Sequence, residues 1–163
     1  MFGVVQYTPQ GDFSVPDVTT LNVLEATPLE AWEALMSDPL AILVDVRTAA
    51  EWSYIGLPVL DSIGKDVLKV EWMQFPQMTC NENFASELLS QLGDKNPSAI
   101  YFLCRSGVRS HHAAKCVLAN NAEIGRDVRC FNVLEGFEGD QDDQKHRGTI
   151  NGWKVRGLPW CQT

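Results

Sequence analysis

The sequence predicts an α/β fold in which a parallel sheet has helices on both faces. Residues 41–44 and 99–103 are continuous apolar runs of strand length, and residues 128–133 are strand-like. Continuous apolar runs are typical of strands that are covered on both sides. A segment with the apolar spacing of an amphipathic helix precedes each of the three. Regular alternation of helices and buried strands indicates a parallel sheet, because each crossover returns the chain to the same end.

The first helix is predicted to begin at Thr27-Pro28. Thr27 can act as the N-cap, Pro28 suits the first helical position, and Glu30 is placed to complete a capping box. Asp38-Pro39 ends the helix, because proline cannot continue it. The predicted apolar face consists of Leu29, Trp32, Leu35 and Met36.

The second and third helices repeat this arrangement. Gly93 marks the C-terminus of the second helix, as glycine often does. The third helix is predicted from Ser110 to about Asn121. The apolar stripe of the second helix consists of Phe84, Leu88, Leu89 and Leu92. That of the third consists of Ala113, Ala114, Val117 and Leu118. Each stripe is expected to pack on the sheet.

Residues 65–83 form a segment without helical or strand periodicity that is long for a connection inside a domain. The segment contains Trp72, Phe75, Pro76 and Met78. Two interpretations stay open. It is either an apolar flap over an edge of the core or a lid that closes over a substrate.

Length, composition and charge exclude several classes of function. A chain of 163 residues with 45% hydrophobic residues fits one globular domain, predicted for residues 21–163 after an N-terminal extension, residues 1–20. The net charge of −8 repels nucleic acid and anionic membranes, so neither is expected as a partner. Residues 1–11 contain no Lys, no Arg and no long apolar stretch. We therefore expect no signal peptide and a cytoplasmic location.

Four of the five cysteines do not suggest a reactive site. The cysteines are odd in number, with no Cys-x-x-Cys pair and no Cys/His ligand spacing. Disulfides, a metal and a cofactor are therefore not expected. We interpret Cys80, Cys116 and Cys130 as small core residues and Cys161 as an exposed thiol.

Cys104 is the candidate nucleophile. It follows the apolar run 99–103, and open parallel sheets bind ligands beyond the carboxyl ends of their strands. The N–H groups and the dipole of the following helix favour a thiolate over a thiol. Arg105 and Arg109 add positive charge, and Gly107 permits the turn in which successive N–H groups converge on an anion. The pattern predicts a nucleophilic thiolate that can also hold anionic sulfur.

The loop CRSGVRS, which begins at Cys104, resembles the active-site loop of the rhodanese sulfurtransferase superfamily, commonly Cys-Arg-x-Gly-x-Arg. Other segments are similar to motifs of the same family in the same order. These are Asp45-Val46-Arg47 with Glu51-Trp52, the turn NVLEG at 132–136, and the tryptophan-and-proline tail at 152–160. The resemblance covers roughly residues 21–160. One departure is Tyr54-Ile55-Gly56-Leu57-Pro58, where the family often has His-x-Pro-Gly-Ala.

The resemblance implies a three-layer fold around a parallel five-stranded sheet and a two-step sulfur transfer. Cys104 would take sulfane sulfur from a small anionic donor such as thiosulfate, forming a persulfide. It would pass the sulfur to a thiol, a cyanide-like anion or a protein acceptor. Asp45 and Arg47 would be structural residues near the site. The donor and its sulfur would be bound by Arg105, Ser106, Gly107, Val108 and Arg109.

Two alternatives stay open. The chain could be a sulfur-carrier or redox module with little turnover, in which Cys104 accepts sulfur from a dedicated partner. It could also be a Cys-dependent phosphatase or arsenate reductase, because related folds bind tetrahedral oxyanions in a similar loop. Those loops have Cys-x5-Arg spacing, whereas this one has Cys-x4-Arg. A shorter ring of amides suits one sulfur atom better than a phosphoryl group.

Overall fold

A parallel sheet of five strands lies at the centre of the computed structural model, which describes residues 22–120 and 128–163. The expected N-terminal extension, residues 1–20, lies outside the described residues, as does Asn121 at the predicted end of the third helix. In chain order the elements are β1 (Leu24–Ala26), α1 (Pro28–Ser37), β2 (Ala41–Asp45), α2 (Ala49–Tyr54), β3 (Leu57–Pro58), β4 (Val67–Lys69), β5 (Met73–Gln74), β6 (Thr79–Cys80), α3 (Phe84–Leu92), β7 (Ala99–Leu103), α4 (Val108–Ala119), β8 (Arg129–Val133) and β9 (Trp160–Cys161).

The predicted five-stranded parallel sheet is confirmed. Its strand order is β1-β8-β7-β2-β4, and all four pairings are parallel. The central strand β7 is buried along its whole length, which explains its uninterrupted apolar sequence. Apolar clusters cover both faces of the sheet, one built with α3 and α4 and the other with α1 and the C-terminal segment. The fold is therefore three-layered.

The capping box predicted for α1 is confirmed. The Thr27 N–H donates to the Glu30 carboxylate at 2.7 Å, and Thr27 Oγ1 accepts from the Glu30 N–H at 3.3 Å. The predicted apolar face is partly wrong, because Leu29 and Met36 are 46% and 52% exposed. The helix buries Leu35 as predicted, together with Pro28 and Ala31. Leu29 and Met36 each stand one residue, or about 100° of helical rotation, from a buried position.

The predicted stripes of α3 and α4 face the core, with Leu89 partly buried against it. Helix α4 begins two residues earlier than predicted. Gly107 is its N-cap and has a φ of +101°, a value that side-chain-bearing residues rarely adopt. Val108 is therefore the first helical residue. The connection between β7 and α4 is reduced to Cys104–Gly107, and Arg109 lies in the first turn of the helix.

The segment 65–83 is more ordered than the sequence indicates. It contains β4, an edge strand of the main sheet, followed by the short antiparallel hairpin β5–β6. Trp72 packs edge-to-face on Phe84, with ring centroids 5.2 Å apart. The Asn81 N–H donates to the Trp72 carbonyl at 2.9 Å and closes the base of the hairpin. The segment is thus attached to the core at its base.

A buried ion pair stabilises the end of β2. Arg47 donates through Nε and Nη2 to the two carboxylate oxygens of Asp45, at 3.0 and 2.7 Å, and both side chains are fully buried. Arg47 Nη2 also donates to the Gly56 carbonyl at 2.8 Å. Its guanidinium lies 4.1 Å from the centroid of the Phe137 ring. The pair joins β2, the chain after α2 and the chain after β8.

Within residues 22–120 and 128–163, the structure contains no helix with the length and apolar character needed to cross a bilayer.

We expect Asp45→Ala to lower the free energy of unfolding by about 3–5 kcal/mol, because it leaves the buried Arg47 guanidinium without its counter-charge. The double variant Asp45→Leu/Arg47→Met removes both charges and should recover part of the loss. Urea unfolding followed by tryptophan fluorescence measures both free energies. A double variant that is no more stable than the single one would contradict this account.

Candidate active site

Cys104 lies immediately after the central strand β7 and before the N-terminus of α4. It is 1% exposed, yet it reaches the floor of a cleft with a volume of about 900 Å³. A strand that is paired on both sides fixes the position of its last residue, so the sulfur cannot move far from the helix end. The sheet thus holds the candidate nucleophile against the positive end of α4.

Two hydrogen-bond donors contact the sulfur of Cys104. The Gly107 N–H donates to Sγ at 3.1 Å, and the hydroxyl of Ser110 lies at the same distance. Ser106, Val108 and Arg109, which were also predicted around the sulfur, line the cleft. The first N–H groups of a helix have no partner within the helix. They are therefore available to a second sulfur atom bound to Sγ.

Asn132 fixes both of these donors, a role that the sequence analysis did not assign. Its Nδ2 donates to the Gly107 carbonyl at 3.0 Å, which turns Oδ1 toward Ser110. The Ser110 hydroxyl lies 2.6 Å from Oδ1, and both side chains are buried. A hydroxyl has one proton, so it can donate to Asn132 or to the sulfur. Ser110 can therefore respond to negative charge on Sγ without moving.

The chain after β8 fixes the backbone of the cysteine loop. The Phe137 N–H donates to the Cys104 carbonyl at 2.7 Å, and the Glu138 N–H donates to the Arg105 carbonyl at 3.0 Å. Gly136 has a φ of +66°, and a Cβ atom built on it would lie 2.5 Å from the Ser106 nitrogen. Real Cβ atoms do not approach backbone so closely. The contact therefore requires glycine, which gives the NVLEG turn a physical role.

Arg109 forms an ion pair in place of a free anion site. Both of its terminal nitrogens donate to the Glu51 carboxylate at 2.7 Å. The same carboxylate accepts from the Thr48 N–H at 2.9 Å and so caps α2. Burial alone would raise the pKa of Glu51, but hydrogen bonds from Arg109 and Thr48 together lower the pKa to about 2. Arg109 therefore ties α2 to the start of α4.

Positive charge at the cleft comes from Arg105 and Arg147. Arg105 is exposed, and Arg147 donates from Nη1 to the Gly139 carbonyl at 2.7 Å. Among residues 22–120 and 128–163, neither arginine has a carboxylate partner. No local motif in the sequence links Arg147 to Cys104.

The tip of the β5–β6 hairpin forms part of the cleft wall. Phe75 and Met78 line the cleft that contains Cys104, although they are 62% and 37% exposed. The segment 65–83 therefore contributes to the site as well as to the sheet. Asp45 and Arg47 pair with each other beneath the site and are not among the residues that line the cleft.

The other four cysteines lie away from the cleft. Burial raises the pKa of Cys130 to about 12, and burial is also the main cause of the raised pKa of Cys116. Cys161 is exposed as expected. The prediction that Cys80 is a core residue is wrong, because β6 belongs to a two-stranded hairpin that leaves this side chain exposed.

We expect Gly136→Ala to displace the cysteine loop and to cost about 2–3 kcal/mol more in the free energy of unfolding than Gly64→Ala. Gly64 has the same φ of +66°, but a Cβ there meets nothing within 4 Å, so the pair isolates the steric contact. Iodoacetamide labelling should show slower alkylation of Cys104 in Gly136→Ala alone. Equal labelling rates and stabilities in the two variants would contradict a steric role.

The lowered pKa of Glu51 predicts that the free energy of unfolding depends on pH in the acidic range. The contribution is fully present above the ordinary carboxyl pKa of 4.5 and is lost as the pH falls through about 2, because only the unfolded carboxyl takes up a proton in between. In this range, Glu51→Gln should lower the slope of the free energy of unfolding against pH by up to about 1.4 kcal/mol per pH unit. Urea unfolding at intervals between pH 5 and pH 2 measures it, and an unchanged slope would contradict the assignment.

Comparisons with known proteins identify close relatives. No protein-family model matches the chain. Uncharacterized protein RP600 from Rickettsia prowazekii is 39% identical over 131 residues, which cover 80% of this chain and 91% of RP600. Its homolog from Rickettsia rickettsii is 37% identical over 140 residues, which cover 86% of this chain and 98% of the homolog.

Two solved structures share the fold. The crystal structure of Rv0390 from M. tuberculosis matches with a TM-score of 0.73 and 45% identity, over 87% of this chain and 99% of Rv0390. The solution structure of the 30 kDa polysulfide-sulfur transferase homodimer from Wolinella succinogenes matches with a TM-score of 0.52 and 19% identity, over 90% and 83% of the two chains. That second likeness concerns the fold alone. The chain therefore belongs to one family with RP600 and Rv0390, and it shares its fold with the Wolinella succinogenes polysulfide-sulfur transferase.

Proposed function

We propose that this protein is a sulfurtransferase that moves sulfane sulfur through a persulfide on Cys104, from an anionic donor such as thiosulfate to a nucleophilic acceptor. The observation that carries the proposal is the position of Sγ, which accepts a hydrogen bond from the Gly107 N–H and lies 3.1 Å from the Ser110 hydroxyl at the N-terminus of α4. Donors aimed at the sulfur stabilise its anionic form and the anionic end of a persulfide.

In the first step, the Cys104 thiolate attacks the outer sulfur of the donor. A sulfur–sulfur bond forms to Sγ, and the bond between the donor's two sulfur atoms breaks. With thiosulfate, the electron pair of that bond leaves with sulfite. In the second step, a thiolate or cyanide attacks the terminal sulfur of the persulfide and restores the Cys104 thiolate. Neither step requires an external oxidant or reductant.

The cleft supports this reaction better than phosphate-ester hydrolysis. A Cys-dependent phosphatase needs a general acid to protonate its leaving group. Glu51 is the one carboxylate among the described residues that line the cleft, and its pKa of about 2 keeps it ionised at neutral pH. It therefore has no proton to donate. The Cys-x4-Arg spacing also leaves a shorter ring of amides than an oxyanion requires.

The comparisons add a consistent analogy. The Wolinella succinogenes neighbour is described as a polysulfide-sulfur transferase, and folds of one superfamily often share a type of chemistry without sharing substrates. We further propose a cytoplasmic location, where reducing conditions keep Cys104 free of disulfides. The acceptor in this proposal is a small thiol, a cyanide-like anion or a protein thiol.

The purified protein should convert thiosulfate and cyanide to sulfite and thiocyanate, and Cys104→Ser should abolish the reaction because a hydroxyl does not form the persulfide. Intact-protein mass spectrometry after donor treatment should show a gain of one sulfur atom, mapped to the peptide that contains Cys104. Cys130→Ser is the matched control and should retain the sulfur gain. Stable sulfur loading without turnover would indicate a carrier, and Cys104-dependent hydrolysis of an aryl phosphate would contradict the proposal.

A further inference from the structure

We propose that the preferred donor is an organic monoanion whose sulfane sulfur is attached to an apolar body, a larger and less charged molecule than thiosulfate. This inference rests on the sulfurtransferase function proposed above and names the class of donor for the same cysteine. It follows from the walls of the cleft, from its size and from the arrangement of its charges.

The walls of the cleft are largely apolar. Four large apolar side chains that are exposed in this structure surround the entrance to Cys104, and Tyr54, at 82%, is the most exposed of them. Isolated apolar residues on a surface are normal, but a group of them around a reactive atom indicates a binding surface. The apolar lining consists of Ala50, Tyr54, Ile55, Phe75, Met78 and Val108.

The cleft is also too large for an inorganic ion. Its volume of about 900 Å³ lies within the range of sites that enclose organic ligands, roughly 300–1,000 Å³. Thiosulfate would fill the floor next to Cys104 and leave the side chains of Phe75 and Met78 in water. A donor with an apolar body would cover them, so the walls would contribute to its binding.

The charges of the cleft suit one negative group better than two. The guanidinium of Arg109 is neutralised by the bidentate contact with Glu51, and that carboxylate also lines the cleft. The remaining positive groups, Arg105 and Arg147, stand at the cleft without a carboxylate partner in the described residues. The Cys104 thiolate of the proposed reaction balances one of these two positive charges, so one remains for the donor. One anionic group with an apolar substituent fits this arrangement.

The benzenethiosulfonate anion is a suitable probe, because it has one charge, a phenyl ring and a sulfane sulfur. The Cys104 thiolate attacks its outer sulfur, the new sulfur–sulfur bond forms on Sγ, and the bond to the sulfonyl sulfur breaks. The electron pair leaves with benzenesulfinate, and the persulfide keeps the negative charge of the transferred sulfur. The methanethiosulfonate anion reacts by the same steps with the same charge but has no ring.

The experiment compares kcat/KM for the two thiosulfonates and for thiosulfate, with cyanide as the acceptor and thiocyanate as the product measured. We expect benzenethiosulfonate to exceed methanethiosulfonate by about tenfold or more, from the burial of the ring. Phe75→Ala and Tyr54→Ala, on two different elements of the wall, should each lower this ratio severalfold. Met36→Ala removes an apolar side chain of similar exposure on α1 and should leave all three rates unchanged.

The outcomes separate this inference from the proposed function. The inference would be overturned if the ratio of kcat/KM for benzenethiosulfonate to that for methanethiosulfonate were near one, or if neither wall variant lowered a higher ratio. Transfer from any of the donors through Cys104 would still support the proposed sulfurtransferase. A higher kcat/KM for thiosulfate than for benzenethiosulfonate would likewise overturn it. If none of the three donors loaded Cys104 with sulfur, the proposed function would fail and the donor class with it.

Discussion

The geometry of the candidate active site depends on a backbone contact between two segments that are distant in the chain. Residues 136–138 lie against the cysteine loop, with the Phe137 and Glu138 N–H groups bonded to the carbonyls of Cys104 and Arg105. The loop has no regular structure of its own and is only four residues long. Its shape is therefore set from outside, and Gly136 allows the approach because it has no side chain. The position of the Gly107 N–H, which donates to Sγ, follows from that shape.

A second constraint links the sulfur site to the electrostatics of the cleft. The Arg109–Glu51 pair joins the first turns of α4 and α2, so the same contact supports the fold and removes a free positive charge from the site. Arginines in sequence motifs of this kind suggest anion binding, yet a motif does not show which carboxylate stands opposite. Here that carboxylate is nearby, hydrogen-bonded and ionised at neutral pH. Because Arg109 is paired with Glu51, it is not free to bind an anion.

The sequence was sufficient for the features that depend on local physics. The alternation of helices and buried strands, the α1 capping box and the placement of Cys104 at a strand end all follow from residues close to one another. Features that depend on distant contacts were missed. Edge strand β4 is three residues long, which is too short for a clear strand periodicity. No residue pattern near Asn132 or Arg147 indicates that these side chains approach the cysteine loop.

The same distinction explains the errors about side-chain position. A pattern of apolar residues predicts the buried side of a helix only to within about one residue, which is why Leu29 and Met36 are exposed although the pattern includes them. The start of α4 depends on the left-handed backbone of Gly107, which the sequence permits without requiring it. Cys80 is exposed, although a free cysteine is usually buried, because it lies in a two-stranded hairpin.

The hairpin that closes one side of the cleft has a consequence for how such proteins diversify. It is attached at its base by Trp72 and Asn81, and its tip contributes little to the packing of the fold. Cys104, the proposed nucleophile, and the hydrogen-bond donors around its sulfur belong to a different stretch of chain, after β7. Under the proposed function, donor selectivity and reactivity would therefore reside in separate segments of the chain. Sequence divergence or engineering at the hairpin tip could then change the donor that the protein binds, while the Cys104 loop stays intact.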